Sequence, residues 1–159
     1  MEEKMKRKTK LLALLLAVAL SVFALASCKR AKQVENEPAG SGITLVVSGE
    51  VCTEYKVSLD KIKVTEGLIS VLSYLEEIDA LDYEYGESGM LESVGELENS
   101  LERGEWIYIY TDVAEDIDVS EYAQTIEYEG RTLTSAGVGA SELKIKDGAT
   151  YYIGLIVYE

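Results

Sequence analysis

Two groups of side chains in this sequence have the types and spacing to do chemistry. The first is Trp106-Ile-Tyr-Ile-Tyr110. Successive side chains of an extended strand point to opposite faces, so Trp106, Tyr108 and Tyr110 share one face, with Ile107 and Ile109 on the other. With Tyr151 or Tyr152 added from a second strand, these rings form a surface that could stack on a planar ligand, a sugar or a partner chain. Aromatic residues are also good strand formers, so the same rings could equally be packing against a helix. The second group is acidic. Asp116, Asp118, Ser120 and Glu127 fall at the first, third, fifth and twelfth places of a calcium loop. Its sixth place is Glu121 where that loop needs glycine, and no helices flank it, so a solvated acidic loop stands beside the reading as a weak Ca²⁺ site.

What is missing decides more. The 159 residues include no histidine, which removes Ser-His-Asp and Cys-His catalysis and imidazole metal ligation. There is no Gly-Lys-Ser/Thr loop to cradle phosphate, and Gly137-Val-Gly139 has no strand-to-helix context. With 29 Asp and Glu, the mere presence of acids says nothing about a glycosidase pair. The reading is therefore non-catalytic. Against those acids stand 15 Lys and Arg, for a formal charge of −14. That balance argues against nucleic acid as a partner.

The amino terminus reads as an address. Lys4, Lys6, Arg7, Lys8 and Lys10 precede the uncharged run LLALLLAVAL, which continues to Leu25, as in a secretory signal. The run ends in Leu25-Ala26-Ser27-Cys28, which resembles the bacterial lipobox. The resemblance implies cleavage before Cys28, lipidation of its thiol, and a protein held outside the cytoplasmic membrane, its lipid anchor making the membrane a partner. An uncleaved anchor is the competing reading, since the apolar run lies at the lower limit of a span. Removing residues 1–27 leaves 132 residues with 10 Lys and Arg against 27 Asp and Glu, net −17. Residues 28–42, KRAKQVENEPAGSG after the cysteine, read as a disordered tether. With Cys28 acylated no internal disulfide can form, and Cys52 reads as a small buried strand residue.

The elements that must position these groups lie in 43–159. Ile43–Val47 and Val51–Val57 read as a hairpin about Ser48-Gly49-Glu50. Leu68, Val71, Leu72, Leu75 and Ile78 have helical spacing, with Thr65 as the expected N-cap. Leu81–Tyr85 and Met90–Val94 flank a turn at Gly86-Glu-Ser-Gly89, and Glu96–Arg103 reads as one irregular helical turn. Thr125–Tyr128 is a short strand closed by Glu129-Gly130. Leu143–Lys146 leads through Asp147-Gly148, a hairpin signal, into Ala149–Tyr158. Tyr151–Val157 is apolar on both faces, as a central strand should be.

Three features in order resemble the transcobalamin-like C-terminal domain family: Val64-Thr65-Glu66-Gly67 running into the helix, Glu105-Trp106-Ile-Tyr-Ile-Tyr110, and Ala136-Gly137 through Asp147-Gly148 before a terminal strand. The resemblance implies an α+β, β-grasp-like fold, with one main helix packed across a curled mixed sheet. It alone suggests a corrinoid such as cobalamin as ligand. The expected function is a cell-surface lipoprotein that binds a soluble ligand or polymer through its aromatic surface. A transporter or envelope protein would be its partner. The alternative is a structural or adhesive envelope component that pairs an edge strand with another protein.

Overall fold

The computed structural model describes residues 40–158. The signal segment, Cys28 and most of the tether lie outside the described residues. Among those described, no helix is long and apolar enough to cross a membrane.

The chain begins with an antiparallel hairpin, β1 (Gly42–Ser48) and β2 (Cys52–Ser58), then a helix, α1 (Leu68–Glu77). A small antiparallel sheet follows, β3 (Tyr83–Tyr85), β4 (Leu91–Val94) and β5 (Leu97–Glu98). Last come β6 (Glu105–Thr111), β7 (Thr125–Tyr128), β8 (Arg131–Ser135) and β9 (Thr150–Val157). The main sheet has the order β2-β1-β9-β6-β8-β7. β1 and β9 run parallel side by side, and the other neighbours are antiparallel. First and last strands parallel at the centre, with one helix across the sheet, is the β-grasp arrangement. The fold is α+β with a mixed sheet, as expected.

β9 has the central place because both its edges are taken, by β1 from Thr44 to Val47 and by β6 from Tyr151 to Val157. Its alternate residues serve two interiors. Tyr151 and Ile153 face α1, together with Ile43, Leu45, Val47, Tyr55 and Val57 from the hairpin. From α1 come Leu68, Val71, Leu72 and Leu75, all buried on the stripe that the spacing predicts. Burial of side chains of this size contributes roughly 1.5–3 kcal/mol each.

Four local expectations are corrected. Thr65 does not cap the helix: it lies in a 3-10 turn, Val64–Glu66, and the N-cap is Gly67. The first amide of α1 is satisfied by a loop carbonyl instead, Leu68 N–H donating to Ala140 O at 2.8 Å. Residues 143–146 are not a strand, because β9 has no edge left to pair with them. Asp147 and Gly148 instead clamp the start of β1, Gly42 N–H donating to Asp147 Oδ1 and Gly148 N–H to Gly42 O, each at 2.7 Å. Glu96–Arg103 contains β5 in place of a helical turn. Asn99 then ties the small sheet to β6, its Nδ2 donating to Leu91 O (2.8 Å) and its Oδ1 accepting from Ile107 N–H (2.7 Å). Finally, β8 has no counterpart in the sequence reading. It pairs with β7 through a two-residue turn, Glu129-Gly130, both with positive φ (47° and 76°).

Candidate aromatic site

The other face of the sheet is lined by tyrosine. Antiparallel partners point the same way, so the pairings Tyr110↔Tyr152, Tyr108↔Gly154 and Trp106↔Ile156 put these side chains on the face away from α1. The rings form a continuous row. Tyr158 lies 6.4 Å from Tyr108, Tyr108 6.3 Å from Tyr110, Tyr110 6.2 Å from Tyr152, and Tyr152 5.7 Å from Tyr128, centroid to centroid. All four contacts are tilted or edge-on, the geometry that ring quadrupoles favour. Gly154 makes room for the row: a Cβ there would sit 3.2 Å from the Tyr152 ring.

Tyr128 reveals the shape of the sheet. It belongs to β7, at the opposite edge from β2, yet its hydroxyl donates to Glu54 Oε2 of β2 at 2.7 Å. The sheet therefore curls until its two edges nearly meet, and the β7–β8 hairpin roofs one end of the tyrosine row. Beneath that roof Val46, Cys52, Tyr110 and Leu133 are buried, outside the cluster that packs on α1. A second clasp holds the hairpin down. Arg131 Nη1 donates to Asp112 Oδ2 (3.0 Å), Gly148 O (3.2 Å) and Thr150 Oγ1 (3.3 Å).

The row is thus closed at one end and open at the other. Trp106 and Tyr108 are half-buried, and Tyr158 is 52% exposed. At the open end the Tyr108 and Tyr158 hydroxyls share a hydrogen bond of 2.7 Å. That bond, with burial, pushes the Tyr108 hydroxyl up to about 12. Burial raises Tyr110 as well, and burial followed by the Glu54 contact raises Tyr128. These hydroxyls stay protonated at neutral pH. The row offers aromatic faces and neutral hydroxyl groups.

No family model matches this chain. No curated protein matches it either. A solved structure from Ruminococcus gnavus, described as a "putative metal binding protein", has a TM-score of 0.46 and 17% identity, spanning 76% of this chain and all of that one. At that distance it carries no argument about function.

Of the residues expected at the aromatic surface, Trp106, Tyr108 and Tyr110 do share a face. Tyr110 is closed off from solvent, at 6% exposure. Tyr151 is not among them. Strand parity turns it toward α1, where it is fully buried, its hydroxyl donating to Lys144 O at 2.6 Å and accepting from Lys146 N–H at 3.2 Å. Its neighbour Tyr152 occupies the position on the aromatic face. Tyr128 and Tyr158 were missed, though alternate spacing from Tyr152 reaches Tyr158.

The acidic positions are not gathered. Asp116 is buried and its Oδ2 accepts from Lys144 N–H at 2.6 Å. Asp118 binds the amide and hydroxyl of Ser120, and Glu127 accepts from Thr132 Oγ1 on the outside of the hairpin. Among the described residues no group of three or more potential ligands could hold a metal ion.

The roof has a direct test. Tyr128→Phe should cost about 1–2 kcal/mol, the worth of a hydrogen bond to a carboxylate. Amide exchange should quicken across residues 125–135 and stay slow in β1 and β9. Equal protection in both proteins would show that the Glu54 contact does not hold the edges together.

Proposed function

We propose that the protein is a non-catalytic binding module, carried outside the cytoplasmic membrane on a lipid at Cys28, which engages a soluble ligand or polymer through the open end of the tyrosine row. One observation carries this reading. Tyr108 and Tyr158, hydrogen-bonded to each other, lie at the accessible end of a row whose other end is pinned by the Tyr128–Glu54 contact, and half-buried Trp106 is on the same face of β6 as Tyr108. Rings held by neighbours lose little entropy on binding, which favours recognition over packing alone. The hydroxyl groups of Tyr108 and Tyr158 can donate to and accept from a polar ligand edge while the rings cover its apolar face.

A corrinoid enters only through the family resemblance and is one ligand to try. Trp106 is the sole tryptophan, so its emission reports on this site without labelling. Titration with cobalamin and with soluble envelope polysaccharides should give saturable quenching with one of them, corrected for absorbance by the ligand. Tyr158→Ala should weaken that response about tenfold, since aromatic anchors at interfaces are worth 1 kcal/mol or more. Tyr128→Phe, which loosens only the far end of the row, should weaken it much less than Tyr158→Ala. No saturable response with any ligand tried, or quenching indifferent to Tyr158→Ala, would count against the row as a site. The anchor is tested separately. Growth with an alkyne fatty acid should label the wild-type protein and not Cys28→Ala.

A further inference from the structure

Strand β6 has a gap along the edge that faces away from β9. At its start Glu105 exchanges main-chain hydrogen bonds with Ser100, at 2.9 and 2.8 Å. Ile107 N–H then donates to a side chain, Asn99 Oδ1, and Ile109 C=O accepts from Ala136 N–H at 2.8 Å. Strand pairing with β8 begins only at Tyr110. Between the Asn99 and Ala136 contacts the edge is bare. Among the described residues nothing donates to Ile107 C=O or accepts from Ile109 N–H. Such groups stay unpaired in a folded protein only where something else can reach them.

A cavity of about 160 Å³ opens beside this stretch, bounded by Ile107, Tyr108 and Ile109 on one side and by residues 89–91 and 136–140 on the others. Leu91 and Ala140 join it to the core on α1, so it lies on the face of the sheet opposite the tyrosine row. Met90, Leu91, Ile109 and Val138 make it apolar, and Met90 is 51% exposed. An apolar cavity of ~150 Å³ accepts a benzene-sized group, so this one matches a single aliphatic side chain. The charge around it has one sign. Stretches 64–102, 104–130 and 132–143 contain no Lys or Arg, and Glu87, Glu92 and Glu142, each within two residues of the lining, are exposed.

We propose that this slot is a second binding site, distinct from the tyrosine row, for an extended basic peptide. One residue of the peptide lies beside Tyr108, running parallel to β6. Its N–H donates to Ile107 C=O and its C=O accepts from Ile109 N–H, the pattern of a parallel neighbour. An antiparallel neighbour would also need Ile107 N–H, which Asn99 holds. The inserted side chain fills the cavity, and lysines on either side of it meet the glutamates. Strand addition of this kind takes affinity from main-chain bonds and selectivity from the side-chain pocket.

Acetyl-Lys-Thr-Leu-Thr-Lys-amide, added to the full chain at physiological salt to screen loose attraction, tests the slot by amide NMR. Saturable shifts should centre on Ile109, whose N–H gains an acceptor, with smaller ones at Met90 and Gly139 and none at Tyr152 or Tyr158. N-methylation of the leucine removes the donor to Ile107 and should weaken binding about tenfold, the upper worth of one neutral hydrogen bond. Alanine in place of the leucine should weaken it at least as much, about tenfold or more, through lost apolar burial. Glutamate in place of both lysines should weaken it too. Gly139 has no positive φ, and a Cβ there would meet only Gly89 O, at 3.8 Å. Gly139→Leu should therefore keep the fold, fill the slot and abolish the shifts. The proposal is overturned if the parent peptide gives no saturable shift at Ile109, or if its shifts scatter over the whole acidic surface. It is overturned equally if any of the three altered peptides binds as well as the parent, or if folded Gly139→Leu binds like wild type.

Discussion

Gly67→Ala should remove about 3–5 kcal/mol of stability, a large share of what a domain of this size possesses. Gly67 has φ 65° and ψ −154°, a region that is essentially confined to glycine. A Cβ there would lie 2.5 Å from Ser141 O and 2.7 Å from Ala140 O. Neither is the end of a flexible side chain. Ala140 O is the acceptor that satisfies Leu68 N–H, so any movement that relieves the clash also unties the start of α1. Urea unfolding gives the comparison. Gly130→Ala and Gly148→Ala share the positive φ but meet nothing within 4 Å, and should lose only about 1–2 kcal/mol each. Equal losses at all three positions would mean that the backbone angle alone matters and that the docking of α1 on residues 140–141 does not.

A second large effect should appear in alkali. Tyr151 is fully buried, and burial pushes its hydroxyl up to about 12, against ~10 in an unfolded chain. Below pH ~10 both states are protonated and the full stability is present. Between ~10 and about 12 the unfolded chain loses its proton first, so stability falls as pH rises. The loss from this one group is on the order of 2–3 kcal/mol, at 1.36 kcal/mol for each pH unit between the two values. Tyr108 and Tyr128 are shifted the same way and steepen the fall. Tyr151→Phe should be about 1–2 kcal/mol less stable at pH 8, because Lys144 O and Lys146 N–H lose their partner. Its alkaline limb should nevertheless be shallower than wild type. Parallel limbs for the two proteins would assign the alkaline loss to other groups.

The fold class was legible where apolar period and burial agree. The α1 stripe from Leu68 to Leu75 and the two-faced β9 could be read directly, because each is buried by its own pattern. Turns were harder. Asp147-Gly148 has the residues of a hairpin turn, but hairpin formation needs a free edge on β9, and that depends on β1 and β6, each far away in the chain. Thr65 has the chemistry of a cap, yet the loop at Ala140 supplies the bond from the other end of the domain. The aromatic site was half legible. Alternation placed Trp106, Tyr108 and Tyr110 on one face, but nothing local says that the sheet curls. The burial of Tyr110, and the recruitment of Tyr128, follow from that curl. Tyr151 and Tyr152 differ by one step of strand parity, and only the register with β6 decides between them.

The side-by-side placement of β1 and β9 bears on how the molecule reaches its native state. A nascent chain that has not yet released Thr150 has its earliest hairpin and helix in hand but lacks the slat that joins them to β6. Until then β1 and β6 keep bare hydrogen-bonding edges, and contacts of such long sequence separation form late. Completion of the main sheet must wait for β9.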